Sequence, residues 1–409
     1  MARSKPGKCN TGRRTVLAAV VFCACLLTAG CWDRVEIQDR AFVLAVAVDV
    51  DEAGADKQPG KTIVESFAHP APADRYRVTF QVLRFAEVKG GQDKPGGQSR
   101  TFLVTGRGPA MLEAVRDALG ESSKGLWFEN LQVIIFSQAV IERYGLAPLI
   151  DFFRRDSEMR WRAQIYITSG EAGKLLAIQP PTGEPGGVYL ANVARRQVKD
   201  IHLPTDRTDL SFSSQSIDTG SDMILPTLEP VGETIKVKGA ALFRRDRFLG
   251  YVDEHFITGL RLIRATEKST AITFECPAHP GNAVTFELFR HQTMLRPHVE
   301  GDRVRFEIDI AMRGNLDEIQ CGHQHKNSLD VEYLDAVQKL AAAEVEHSIR
   351  DTLATAQRLD WEMFYFRRSL QAYKPKDWER IKDRWDEIYP TVTVDLRVKV
   401  SVINVGEHK

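Results

Sequence analysis

Apolar residues along this chain recur with two periods, and the change from one to the other marks out its elements. Ala41 to Asp51 (AFVLAVAVDVD) is a short Val-rich run, the pattern of a buried strand. Tyr76 to Phe85 (YRVTFQVLRF) alternates, as a half-buried strand does. The Pro- and Gly-punctuated QPGKTIVESFAHPAPADR between them is an excursion, and KGGQDKPGGQSR is a flexible loop. In GPAMLEAVRDALGESS the period lengthens: Met111, Leu112, Val115, Ala118 and Leu119 share a helical face, with Pro109 suited to the first turn. Strand Leu131 to Ser137, helix AVIERYGLAPLIDFFRRD, strand Arg162 to Ser169 and helix GEAGKLLAI repeat the alternation, which predicts an α/β domain over residues 31–200.

Turn formers then dominate from Gly183 to Gly232 (PPTGEPGG, LPTDRTD, FSSQSIDTGSD), around a short helical piece near Val188 to Gln197. TIKVKGAALFRRDRFLGYVDE reads as a hairpin turning at Arg244-Arg245-Asp246-Arg247, so residues 201–265 are expected as a small β-rich middle region. Residues 266–409 hold the strand TAITFEC and a long pair, AVTFELFRHQTMLRPHV and VRFEIDIAMRG, joined by EGD. A helix of about 30 residues follows, because Leu334, Val337, Leu340, Ala341, Val345, Ile349, Leu353, Ala356 and Leu359 keep a three-four spacing. PKDWERIKDRWDEIYP is a second amphipathic segment, and TVTVDLRVKVSVIN closes the chain as an alternating strand. The expected fold class is α/β followed by α+β: an alternating strand-helix domain, the middle region, and an antiparallel sheet packed with a long helix.

The first thirty residues belong to none of these domains. MARSKPGKCNTGRR is basic and TVLAAVVFCACLLTAG is apolar over about 15 residues, within the range of an export signal and short of the roughly 20 that span a bilayer. Thr28, Ala29 and Gly30 before Cys31 resemble the lipobox of bacterial lipoproteins, although Thr28 stands where Leu is usual. In that reading residues 1–30 are a lipoprotein signal peptide, the Cys31 thiol receives a diacylglyceryl group, and the cut falls just before it. The alternative is an ordinary secreted protein cut near Gly30. Two or more acyl chains anchor stably, since each buried methylene contributes about 0.8 kcal/mol and one chain is marginal.

Composition narrows the function. At 409 residues, 43% hydrophobic and 27% charged, the chain suits two or three globular domains. Its zero formal charge includes five basic residues and no acid in the leader, so the exported part is net acidic. With no basic run after residue 30, nucleic acid is not an expected partner.

Cleavage would leave three cysteines. With Cys31 acylated, Cys276 and Cys321 remain as an even pair outside the cytosol. A bridge closing their loop of about 45 residues would contribute about 3–4 kcal/mol on the chain-entropy model. Free thiols are a second reading. Zinc is a third, because CPAH pairs Cys276 with His279 and CGHQH offers Cys321, His323 and His325. No catalytic constellation emerges. TGRGPA holds only Gly106 and Gly108 and reads as a loop before a helix. Glu344 and His347 form half of a di-iron motif without the second copy, so a solvated helix face is expected. Trp378, Ile381 and Trp385 are either a docking surface or a buried stripe at three-four spacing, and the stripe is the expectation.

Three segments together, GCWDRVEI, GAALFRRDRFLGY and DWERIKDRWDEIYPTVTVDLRVKVSVINVG, resemble the Ger(x)C family, the lipoprotein C subunit of nutrient germinant receptors in endospore-forming bacteria. The resemblance covers essentially the whole exported chain in order. It implies a three-domain α/β protein anchored by lipid to the outer face of the inner spore membrane. There it would act with the receptor's A and B subunits in sensing germinants, with no enzyme activity, cofactor or metal. At residue level it carries Cys31 as the lipidation site and Trp32 and Asp33 as the family's opening motif. The alternative is a lipid-anchored solute-binding protein for a small nutrient, which should show two similar α/β lobes around a cleft. Whether this chain touches a small-molecule ligand is left open at this stage.

Overall fold

The computed structural model describes residues 36–51, 75–84, 100–196, 204, 207–266, 270–277, 279, 281–320 and 331–405. Two sheets organise it. The first begins with β1 (Arg40–Val50), which is buried along nearly its whole length because it lies between two neighbours and under helices on both faces. On one side β1 pairs antiparallel with β2 (Tyr76–Leu83), and β2 pairs antiparallel with β3 (Thr101–Gly108). On the other side β5 (Val133–Ser137) and then β6 (Gln164–Thr168) join in parallel, while the short β4 (Gly125–Trp127) lies parallel to the start of β1.

Helices α1 (Met111–Ala118), α2 (Gln138–Tyr144) and α3 (Leu146–Arg155) bury their apolar sides on one face of this sheet. Helices α4 (Ala172–Ala177) and α5 (Gly186–Arg196) cover the other. The continuous helix expected over AVIERYGLAPLIDFFRRD breaks into α2 and α3 at Gly145, whose φ of 74° most side chains avoid.

TGRGPA is not a loop. Residues 101–108 form β3, and a Cβ at Gly106 would come within 1.9 Å of the Ala114 carbonyl oxygen on α1. The glycines let helix and strand approach closely, and their low strand propensity hid the strand in the sequence.

The middle segment also departs from expectation, since its strands do not stand apart. β7 (Met223–Val231) joins β6 in parallel through Ile167 and Thr227, and β8 (Thr234–Arg244) and β9 (Arg247–Val252) continue the first sheet as a hairpin. Two helices in or beside the expected turns were not foreseen. In α6 (Leu210–Thr219) and α7 (Glu254–Arg264), Asp209 and Asp253 accept hydrogen bonds from the Phe212 and Phe256 amides at 2.8 and 3.0 Å. Such capping starts helices whose Ser-rich or short sequences read as turns.

The second sheet runs β10 (Thr270–Glu275), β11 (Ala283–Glu300), β12 (Arg303–Ile319) and β13 (Thr393–Asn404). The first three are antiparallel as expected, but β13 is parallel to β12, so the sheet is mixed. The long helix α8 (Val331–Arg358) carries the chain back along the sheet, and α9 (Phe366–Tyr373), α10 (Pro375–Ile381) and α11 (Trp385–Ile388) return it to the start of β12. That crossover is what a parallel neighbour requires. Helix α8 buries Val337, Ala341, Val345, Ile349, Leu353 and Ala356, whereas Leu340 and Leu359 lie at its solvent edge. Ile381 and Trp385 are buried and Trp378 packs on them, so the aromatic stripe is core.

One core spans both sheets. Ile224, Ala240 and Leu242 from β7 and β8 belong to the same cluster as α7, α8 and the second sheet. At the α7–α8 crossing a Cβ on Gly259 would lie 2.2 Å from Thr352 Oγ1, so glycine sets their spacing.

Candidate functional site: a crevice at the strand ends and a charged junction

Cys31, Trp32, Asp33, Cys321, His323 and His325 lie outside the described residues. Cys276 directly follows β10, is buried, and is disulfide-bonded. Among the described residues no three His, Cys, Asp or Glu side chains are grouped to hold a metal. His347 is solvent-exposed and faces Asp351 at 3.3 Å, as a solvated helix face predicts.

A crevice opens where the connections of the first sheet part. After β5 the chain crosses to one face and after β6 to the other, which leaves a gap beyond the carboxyl ends of these parallel strands. The gap is a cavity of about 530 Å³ with Asp49, Arg77, Ser137, Thr168, Ser169 and Glu171 among its walls. Asp49, Ser137 and Thr168 are the polar residues that end the same-face series of β1, β5 and β6. Buried Asp49 accepts hydrogen bonds from the amides of Ala172 (2.7 Å) and Gly173 (2.9 Å), which fixes the start of α4. Arg77, opposite Asp49 on β2, lies 3.9 Å from its carboxylate and 2.9 Å from Glu171. Lys174 also reaches Glu171 at 2.8 Å, and this hydrogen bond, with Arg77, lowers the Glu171 pKa.

Ser137 lines the crevice and is buried, and its hydroxyl has no hydrogen-bond partner among the described residues. Small polar molecules are the chemistry this lining suits. In the sequence the only trace of the site is a polar residue ending each of three apolar strands.

A second cluster joins the two halves of the molecule. Trp361, fully buried, donates its indole N–H to the Met223 carbonyl at 3.2 Å, and the Tyr389 hydroxyl donates to the Trp361 carbonyl at 2.7 Å. Asp222 accepts from the amides of Arg245 (3.1 Å) and Glu362 (2.8 Å), and Glu362 accepts from Phe364 (3.0 Å) and Phe366 (3.2 Å). Burial raises the pKa of both carboxyls and of the Tyr389 hydroxyl. Around this buried group Arg244 pairs with Asp360 at 2.5 Å, and Arg245 and Arg367 each pair with Asp386 at 3.2 Å. The segments GAALFRRDRFLGY and DWERIKDRWDEIYP, which carried the family resemblance, therefore meet here.

Comparison with known proteins agrees with this architecture. Residues 33–230 match the family model "Spore germination protein N-terminal domain", and residues 238–406 match "Spore germination B3/ GerAC like, C-terminal". The chain is 21% identical to Spore germination protein YndF of Bacillus subtilis (strain 168), over 97% of this chain and 98% of that one. With Spore germination protein B3 of the same organism it shares 21% identity, over 95% of this chain and 97% of that one. The crystal structure of the GerBC protein superposes with a TM-score of 0.56 at 18% identity, covering 88% of this chain and 98% of that one, which shows a common fold. Two adjoining models that together span nearly all of residues 33–406, with relatives matched end to end, establish that this chain belongs to the Ger(x)C family of spore germination proteins.

Proposed function

We propose that the exported chain is the lipid-anchored C subunit of a nutrient germinant receptor. It works by binding the A and B subunits at the outer face of the inner spore membrane and turns over no substrate. The observation that carries this reading is the ordered match of both family models across residues 33–230 and 238–406. Among the described residues no helix is long and apolar enough to cross a membrane, so acylated Cys31 would hold the chain there. The test is Cys31→Ala, followed by membrane fractionation and germination in the same strain. Loss of both supports the reading, and a variant that stays membrane-bound and fully active refutes it.

The crevice with its unpartnered Ser137 hydroxyl favours a second reading, a receptor subunit that itself binds a small polar solute. The two halves are not similar lobes, so such binding would use the crevice of the first sheet alone. Calorimetric titration of nutrients into the isolated exported chain and its Ser137→Ala variant separates the readings, since a pure docking subunit takes up no heat.

A further inference from the structure

Strands β1, β4, β5 and β6 are parallel, so the segments leading into them emerge at one end of the first sheet, opposite the crevice. The turn before β1 carries Ile37, 65% exposed. The turn before β6 carries Arg160-Trp161-Arg162, all three exposed, with Trp161 at 48%. Its backbone is nevertheless fixed: the Trp161 carbonyl accepts from Ser211 N (2.9 Å) and the Arg160 carbonyl from Ala163 N (3.0 Å).

This rigid turn leaves about half of a large indole uncovered by the fold. Neither Arg160 nor Arg162 has an ion-pair partner among the described residues. Of the acids at this end, Glu36 and Asp39 flank Ile37 and are exposed, and three others are engaged elsewhere. Glu129 accepts the Trp127 indole N–H at 3.3 Å, Asp156 accepts from Glu158 N at 2.8 Å, and Glu158 faces Arg40, which itself stacks over Trp127 at 3.5 Å.

Cys31 lies only five positions before Glu36, a reach of about 18 Å at full extension. Any anchor at Cys31 therefore keeps this end of the sheet against the headgroups. Tryptophan settles at the headgroup level, and arginine is drawn to anionic lipid. Resting on the anchored reading above, we propose that Arg160, Trp161 and Arg162, with Ile37, dock this end of the first sheet on an anionic bilayer surface. The docked orientation holds β1 upright. Its 11 residues, at about 3.3 Å each, place the crevice about 35 Å above the membrane, open to the side away from lipid.

The test uses the mature chain from residue 31 with Cys31→Ser, so its outcome does not depend on acylation. Co-sedimentation is measured at low salt with vesicles of phosphatidylcholine, with and without about 30 mol% phosphatidylglycerol to supply a negative surface potential. The expected result is binding to the anionic vesicles alone, abolished by salt. Arg160→Ala with Arg162→Ala should weaken partitioning by about thirty-fold, each arginine near an anionic surface contributing about 1 kcal/mol. Trp161→Ala should weaken it separately, and circular dichroism verifies that the variants are folded. Failure of the parent to sediment with anionic vesicles overturns the proposal. So does sedimentation of the variants like the parent, the result expected if this end instead meets a protein. Loss of the anchor reading would show independently, as a Cys31→Ala chain that remains on the membrane in cells.

Discussion

Replacing Trp361 tests whether the two halves stand or fall together. Its ring contacts Phe256 at 5.7 Å and Phe364 at 6.1 Å between centroids, its N–H bonds across the junction to Met223, and its C=O is held by Tyr389 of the same half. Trp361→Ala removes about 200 Å² of buried aromatic surface, about 5 kcal/mol at 25 cal/mol/Å². It also leaves the Met223 carbonyl without its indole donor, about 1–3 kcal/mol more. Partial collapse of the cavity returns some of this, so a loss of about 3–5 kcal/mol is expected, as for large aromatic truncations in cores. Trp361→Phe keeps most of the surface and forfeits the hydrogen bond, so its loss should be about 1–3 kcal/mol. In urea titrations followed by circular dichroism, the Ala variant should drop the midpoint by about 1 M. Its single transition should also separate into two as the halves lose their coupling. An Ala variant that unfolds in one transition within about 1 kcal/mol of the parent would refute the assignment of Trp361 as the link between them.

Three further outcomes follow from the same geometry. Burial raises the folded-state pKa of Glu362 above the ordinary carboxyl value of about 4.5, so the stability from its protonated form is full below that value and is lost as pH rises through the raised one. Glu362→Gln keeps an oxygen for the Phe364 and Phe366 amides. The stability difference between variant and parent should therefore shift in the variant's favour as pH climbs from 4.5 to 8, and a pH-independent difference in urea titrations would count against it. For the disulfide at Cys276 we propose Cys321 as partner: non-reducing peptide mapping should recover the two linked, and Cys276→Ser should lower stability by about 3–4 kcal/mol. Gly106→Ala should displace α1 from β3, because its Cβ would sit 1.9 Å from a backbone oxygen, and should cost at least about 2 kcal/mol; a neutral effect on the thermal midpoint would contradict the close packing described.

The legible elements were those whose signal is local. β1, β2, β5, β6, the β8–β9 hairpin, the long β11–β12 pair and α8 all announce themselves by period, because period depends only on which neighbours along the chain face the core. β3 was hidden by glycines whose reason lies on α1, and α6 by serines that a capping aspartate turns into a helix start. The parallel seat of β13 was illegible for another reason, since strand direction depends on how often the intervening chain crosses the sheet.

The crevice and the junction divide in the same way. Sequence alone carried the run of strands and helices, the resemblance to one family, and the expectation of an export leader with a lipobox-like approach to Cys31. Each of these rests on residues close together in the chain or on ordered segments. Tertiary structure alone decided that Arg77 meets Glu171 across 94 residues, that Asp49 caps α4 across 123, and that Arg245 meets Asp386 across 141. Those partners are chosen by sheet register and helix placement. A polar residue ending an apolar strand has no site to belong to until the neighbouring strands bring theirs alongside.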